Sequence, residues 1–311
     1  MTPHGAAAPR PGPGPPPVTA LVLPGQGSQR PGAGAPWRRF PAWSLVERGS
    51  DLLERDLAHL LLDADADQLR RTAEAQLATF LVSLLAWRSL PDLDVTVVAG
   101  HSLGELTALV VAGVLTPEAG LLLVAERGAA MQAAADASPG TMAAVLGLPD
   151  ELVDEVCAGV DGAWPANYNA PAHVVVSGTV DGVAAAGAAL TVAGARRVLA
   201  LPVGGAFHTP LMAPARDRLD LALRATAYAS PTVPVLSAVT VGPHDDDVAA
   251  TLSRQLTAPV RWRQLLEALP ERGVERVVEV GPGGVLAGLA RRTLPGVAVT
   301  TVATPDDLAA L

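Results

Sequence analysis

Apolar positions in this chain fall into two kinds of segment: short continuous runs that stop at turn residues, and longer stretches with helical spacing. Val18-Thr-Ala-Leu-Val-Leu23 is halted by Pro24-Gly25, and Val95-Thr-Val-Val-Ala99 runs directly into Gly100. Short apolar runs bounded in this way predict buried strands. Between them, the Gly/Pro-rich stretch 31–41 predicts a loop. Helical spacing predicts helices over about 43–62 and 66–90, the second holding Ala75, Leu77, Phe80, Leu81 and Leu84. Further helices are predicted over 105–112 and 117–135, with Pro117 suited to a first turn, where its missing N–H costs nothing.

From 139 to 203 the rhythm changes. Strands at 141–148, 163–169, 173–177 and 196–203 enclose helices at 149–158 and 182–193. A β-α-β-β-α-β order is the ferredoxin-like pattern, which predicts a small inserted domain over 139–203. The chain then returns to α/β alternation, with strands at about 233–238 and 275–280 and a helix at 284–292. The large domain is therefore expected to be α/β and to comprise 18–138 and 204–311. Residues 1–17, rich in Pro, Gly and Ala, have little to bury and predict a disordered tail.

Composition narrows the function. Aromatic residues make up only 3% of the chain, so aliphatic side chains must build the core. The net charge is −9, every Lys-or-Arg position is an arginine, and there is no basic run with interleaved aromatics, which argues against nucleic-acid binding. Cys157 is the only cysteine, so an intrachain disulfide and a cysteine metal cluster are excluded. Its helix-like setting predicts a buried structural thiol. Neither a signal peptide nor a membrane span is evident, which predicts a soluble cytoplasmic protein and a monomer that works away from membranes.

The chemistry centres on Gly100-His-Ser-Leu-Gly104, which lies after a predicted strand and before a predicted helix. That context is the nucleophile elbow, a turn so tight that the flanking glycine positions, two before and two after the serine, must lack a Cβ. A Gly/Ser-rich turn without chemistry would produce the same five residues. A serine nucleophile needs a base, and the chain has six histidines. His4 lies in the tail, His59 in an early helix and His173 at the start of a strand, while His244 stands among Asp245, Asp246 and Asp247 and is expected to be solvated. His101 adjoins the serine but is expected to point elsewhere. His208, in Gly204-Gly-Ala-Phe-His-Thr-Pro210, is left as either the base or a surface loop histidine.

Further motifs accompany the elbow: Gly25-Gln-Gly-Ser-Gln29, Gly100-His-Ser-Leu-Gly-Glu105, Arg127-Gly128 with Met131, Ala206-Phe-His208 and Glu279-Val-Gly-Pro-Gly283. In this order, over about 19–292, the chain resembles the malonyl-CoA:acyl-carrier-protein transacylases and the related acyltransferase domains of polyketide synthases. The resemblance implies an α/β-hydrolase-like large domain with an inserted ferredoxin-like small domain. It implies Ser102 as nucleophile, His208 as general base, and a backbone carbonyl near Gln255 as the group that orients the histidine, with Gln255 otherwise capping a turn. It implies backbone N–H groups of Gln26 and Leu103 as an oxyanion hole, where the alternative for Gln26 and Gln29 is a polar turn. Gln76 and Asn169 match positions near the pocket.

Arg127 bears most on the substrate. It is either a helix arginine in a local ion pair with Glu126 or, as the resemblance implies, the fork that grips the free carboxylate of a malonyl group. Phe207 and Leu103 resemble the malonyl-selective variants, because a ring at Phe207 crowds an α-methyl branch. The implied reaction is ping-pong transfer from a CoA thioester to the phosphopantetheine thiol of an acyl carrier protein, with no metal or redox cofactor, in fatty-acid or polyketide synthesis. Arg291 and Arg292 are candidates for docking the acidic carrier. The chain departs from the pattern at Pro31-Gly-Ala-Gly34, where a methionine is usual, and at His173, where a glutamine is frequent. The rival readings are transfer of another acyl or aminoacyl unit, an editing thioester hydrolase, and a catalytically silent carrier-binding module.

Overall fold

The computed structural model describes residues 17–244 and 247–311. The expected tail, except Pro17, lies outside the described residues, as do His4, Asp245 and Asp246. Strand β1 (Thr19–Leu23) is buried at every position, as its apolar run predicts. The helix expected over 43–62 is two helices, α1 (Ser44–Leu53) and α2 (Leu57–Leu62). Glu54 adopts a left-handed conformation that ends the first, and the Asp56 side chain accepts from His59 N at 2.8 Å to cap the second. Next come α3 (Thr72–Arg88), β2 (Val95–Gly100), α4 (Gly104–Val111) and α5 (Pro117–Ala137). Thr116 caps α5 by accepting from Ala119 N, and Pro117 fills its first turn.

The segment from 140 to 200 contains β3 (Gly140–Leu146), α6 (Asp150–Ala158), β4 (Ala163–Ala170), β5 (His173–Thr179), α7 (Val180–Val192) and β6 (Arg197–Ala200). Its strands form a separate antiparallel sheet in the order β4-β5-β3-β6. Cys157 is buried beneath that sheet with Val145, Val153, Val174 and Leu190, and burial pushes its thiol up to about 11. The remainder holds α8 (Ala213–Ala225), β7 (Val235–Ser237), β8 (Gly242–Pro243), α9 (Val248–Gln255), α10 (Trp262–Glu267), β9 (Arg276–Val280), α11 (Val285–Thr293) and β10 (Ala298–Val302). Hydrophobic runs alone did not predict α8, α9, α10 or β10, which are short or carry mixed charge.

The larger sheet runs β10-β9-β1-β2-β7-β8, parallel except for the β8 edge. In the β1–β2 register Leu23 faces Gly100, so the Gly25–Gln29 turn and the Gly100–Gly104 turn leave the carboxyl ends of adjacent strands side by side. Crevices at that end of a parallel sheet are where ligands bind in open α/β folds. The second sheet is tied over this end: Tyr168 N donates to Val260 O and Val260 N to Ala166 O, both at 2.9 Å. Among the described residues no helix is long and apolar enough to cross a membrane.

Candidate active site

The turn after β2 is tight in the way its glycines require. A Cβ on Gly100 would overlap the backbone of Gly104, and one on Gly104 would overlap Leu23 O. Ser102 between them sits at φ 53°, a left-handed conformation that non-glycine residues rarely adopt outside functional turns. The turn projects its side chain out of the sheet edge while α4 starts two residues later.

Ser102 Oγ lies 2.8 Å from His208 Nε2, and His208 Nδ1 lies 2.9 Å from the backbone carbonyl of Gln255. These two contacts determine the tautomer. A carbonyl only accepts, so Nδ1 carries the proton, and the Nε2 lone pair is left facing the serine hydroxyl. The ring is buried, and desolvation, with the nearby Arg127 cation, lowers its pKa to about 3. It is therefore neutral at physiological pH. His208 is no surface loop residue, and its Nδ1 partner is the main-chain carbonyl of Gln255.

Arg127 is not a solvated helix arginine. Its residue is 2% exposed, and Glu126 pairs instead with Arg218 at 2.5 Å. Nη1 of Arg127 donates to Gln76 Oε1 at 2.7 Å, while Nη2 donates to both Ser102 Oγ and Gln255 Oε1 at 3.0 Å. Gly128 brings α5 against α3, since a Cβ there would lie 3.0 Å from Ala73 Cα. That approach lets Gln76, itself fully buried, reach the guanidinium, and its amide nitrogen meets Met131 Sδ at 3.3 Å. Burial lowers the Arg127 pKa to about 10, partly opposed by the Glu105 carboxylate.

The Gln255 side chain links this cation to a buried anion. Its Nε2 donates to Glu105 Oε2 at 2.7 Å and to Ser102 O at 3.2 Å. The other carboxylate oxygen, Oε1, lies 2.7 Å from His244 Nε2. His244 is thus a correction to the expectation of a solvated residue: its side chain is 6% exposed. The separation is an ion-pair distance, although the ring is turned so that its N–H does not meet hydrogen-bond geometry. Sequence reading missed both Glu105 and His244 as members of the site, because the acidic neighbours of His244 indicate solvent.

Ser102, His208 and Arg127 line a cavity of about 430 Å³ together with Gln26, Met131, Phe207 and His101. The backbone N–H groups of Gln26 and Leu103 donate to no acceptor among the described residues. Gln29 braces the first turn, accepting from Gly27 N at 2.7 Å and donating to Leu69 O at 3.1 Å. The His101 ring also borders the cavity. Its Nε2 meets Asn169 Oδ1 at 2.9 Å, and its ring packs edge-on against Trp262. Asn169 therefore acts through His101, whereas Asn167, two residues earlier on the same face of β4, lines the cavity with its Oδ1 unpartnered. Strand alternation was the signal for Asn167, because residues i and i+2 share a face. Met142, Leu201 and Val203, from the segment around the second sheet, complete an apolar wall.

Two sequence features lie outside the cavity. His173 pairs with Ala170 at the β4–β5 turn, and Glu279 Oε2 accepts from Ala287 N at 2.8 Å at the start of α11. The Glu279–Gly283 motif thus anchors a helix and does not touch the serine.

Residues 20–305 match the acyl transferase domain family. The malonyl CoA-acyl carrier protein transacylase of Salmonella typhimurium is 38% identical over 307 residues, covering 94% of this chain and 97% of that protein. The acyl-carrier-protein S-malonyltransferase of Burkholderia pseudomallei superposes with a TM-score of 0.90 at 36% identity, covering 94% of this chain and 98% of that one. A malonyl-transacylase solved in complex with its type II PKS acyl-carrier protein gives a TM-score of 0.90 at 35% identity, with coverage of 94% and 98%. With an elbow serine, a neutral histidine and a buried arginine at one cavity, the chain belongs to the acyl transferase domain family, among the malonyl CoA-acyl carrier protein transacylases.

Proposed function

We propose that this enzyme transfers a malonyl unit from CoA to the phosphopantetheine thiol of an acyl carrier protein through an ester at Ser102. In the first half-reaction His208 Nε2 takes the Ser102 proton as Oγ attacks the thioester carbonyl. The developing oxyanion is received by the free N–H groups of Gln26 and Leu103, rigid donors aimed before charge appears. The C–S bond then breaks, and the CoA sulfur leaves with the proton from His208. The second half-reaction runs in reverse with the carrier thiol: His208 accepts its proton, sulfur attacks the ester, and Ser102 recovers the proton as it leaves.

The observation that carries this reading is a buried arginine bonded to the serine hydroxyl. A guanidinium at 3.0 Å from Oγ suits an acyl group that ends in a carboxylate, and Arg127 Nη2 would exchange Oγ for that carboxylate. Gln76 holds the fork from behind, Met131 and Phe207 shape the walls, and Asn169 acts through the His101 ring. The reading takes a CoA thioester as substrate, calls for no bound cofactor, and treats 139–203 as the inserted small domain and the cytoplasm as the place of action. The product serves fatty-acid or polyketide synthesis.

The test is incubation with a panel of acyl-CoA thioesters, followed by the mass added at Ser102. Malonyl-CoA should load the parent and not Ser102→Ala, and an acyl carrier protein should unload it. No mass gain from malonyl-CoA overturns the substrate assignment, and rapid release to water without a carrier points to a hydrolase.

A further inference from the structure

Glu105 is a fully buried carboxylate at the first turn of α4, and it divides two partners between its oxygens. Oε2 accepts from Gln255 Nε2, and Oε1 faces His244 Nε2. The chemistry of this arrangement dictates which way the Gln255 amide points. Glu105 Oε2 accepts and so takes the NH₂ end of Gln255, and the carbonyl end is thereby turned to Arg127 Nη2 at 3.0 Å. With the amide reversed, NH₂ would face a guanidinium, donor against donor, and Arg127 would lose the partner that anchors Nη2 beside Ser102.

His244 reaches Glu105 because of local backbone structure. Val241 takes a left-handed conformation at φ 61°, which closes the β7–β8 hairpin. His244 N then donates to Val235 O at 2.9 Å, next to the strand that pairs with β2. The side chain, 6% exposed, is thereby delivered from the sheet edge to Glu105.

We propose that His244 is a positioning residue for acyl selection. By holding Glu105, it keeps the Gln255 amide in the orientation that fixes Arg127, and so it supports discrimination between a carboxylated acyl group and a neutral one. It touches no substrate. The inference rests on the function proposed above, in which Arg127 receives the malonyl carboxylate. His208 is oriented by the main-chain carbonyl of Gln255, so the base is expected to survive loss of His244 while the arginine does not.

The experiment compares malonyl and acetyl loading of Ser102 by mass, within one sample, for the parent, His244→Phe and His244→Gln. Taking the ratio cancels the folded fraction. His244→Phe should lower the malonyl-to-acetyl ratio by about tenfold, the scale of removing one close polar partner from a buried carboxylate, and His244→Gln, which keeps an N–H group of similar reach, should restore most of it. If His244→Phe gives no folded protein, His244→Asn, too short to reach Glu105, takes its role. A parent that prefers malonyl but keeps its ratio in these variants overturns this inference alone. A parent without that preference overturns the proposed function, and this inference with it.

Discussion

Arg127 Nη2 donates to Ser102 Oγ at 3.0 Å, so a buried cation is tied to the same hydroxyl that faces His208. The arginine therefore has two consequences at once. It offers a fork beside the serine, and its charge helps keep His208 unprotonated.

Replacing Arg127 by alanine is expected to reduce malonyl loading by about 10- to 100-fold while sparing acetyl loading, since only the carboxylated acyl group uses the fork. Arg127→Lys should not rescue it, because an ammonium cannot present two parallel donors. Steady-state kinetics with both thioesters checks this.

The pH dependence of His208 has a definite sign. Its folded pKa of about 3 is depressed below the ordinary value of 6.5, so the unfolded chain binds the proton more readily. His208 therefore costs no stability above about pH 6.5, and stability declines as pH falls from there toward 3, by at most about 1.4 kcal/mol per pH unit. Urea unfolding of the parent and His208→Gln between pH 7 and pH 5, a window chosen on the ordinary histidine value of about 6.5, should show the steeper loss in the parent. Equal slopes would mean the ring is not held neutral.

Gln255→Leu separates main chain from side chain. The carbonyl that holds His208 remains, while Glu105 and Arg127 each lose a buried partner. Stability should fall by about 1–3 kcal/mol, and KM for malonyl-CoA should rise more than the rate of acetyl loading falls. Thermal unfolding and kinetics on the same preparation measure both.

Phe207 is buried against the cavity wall. Phe207→Ser is expected to raise methylmalonyl loading relative to malonyl by about 10-fold, because methyl-sized discrimination in an apolar pocket amounts to only about 1–3 kcal/mol. Competition between the two thioesters, read by mass at Ser102, gives the ratio directly.

The elbow itself depends on its missing side chains. Gly100→Ala should destabilise the protein by about 3 kcal/mol or prevent folding, since the added Cβ meets the backbone of Gly104, which cannot move aside as a flexible side chain could. A thermal transition unchanged from the parent would contradict this.

Much of the fold was legible in the residues. The runs at Val18–Leu23 and Val95–Ala99 are strands because continuous apolar stretches next to turn residues suit a sheet covered on both faces. The change of rhythm after 139 marks the second sheet, whose strand order could not be read from periodicity. The short helices α9 and α10 escaped notice, and with them went the setting of Gln255. Of the residues that meet at the cavity, Ser102, His208 and Arg127 were legible as candidates because their motifs are local or stand in a recognisable series.

By itself the sequence determined the residue types and the order of the elements: an elbow whose glycines admit no Cβ, a histidine after the second sheet, an arginine within α5. Only the tertiary structure decided how they act together. It turned Arg127 from a possible surface ion pair into a buried donor to Ser102, and it turned His208 from a possible surface loop residue into a buried ring facing that serine. It also drew His244 out of an acidic loop to face Glu105. The physical reason is that burial and hydrogen-bond direction are set by packing between segments more than one hundred residues apart, as with Arg127 and Gln255 at a separation of 128, and no local pattern encodes them.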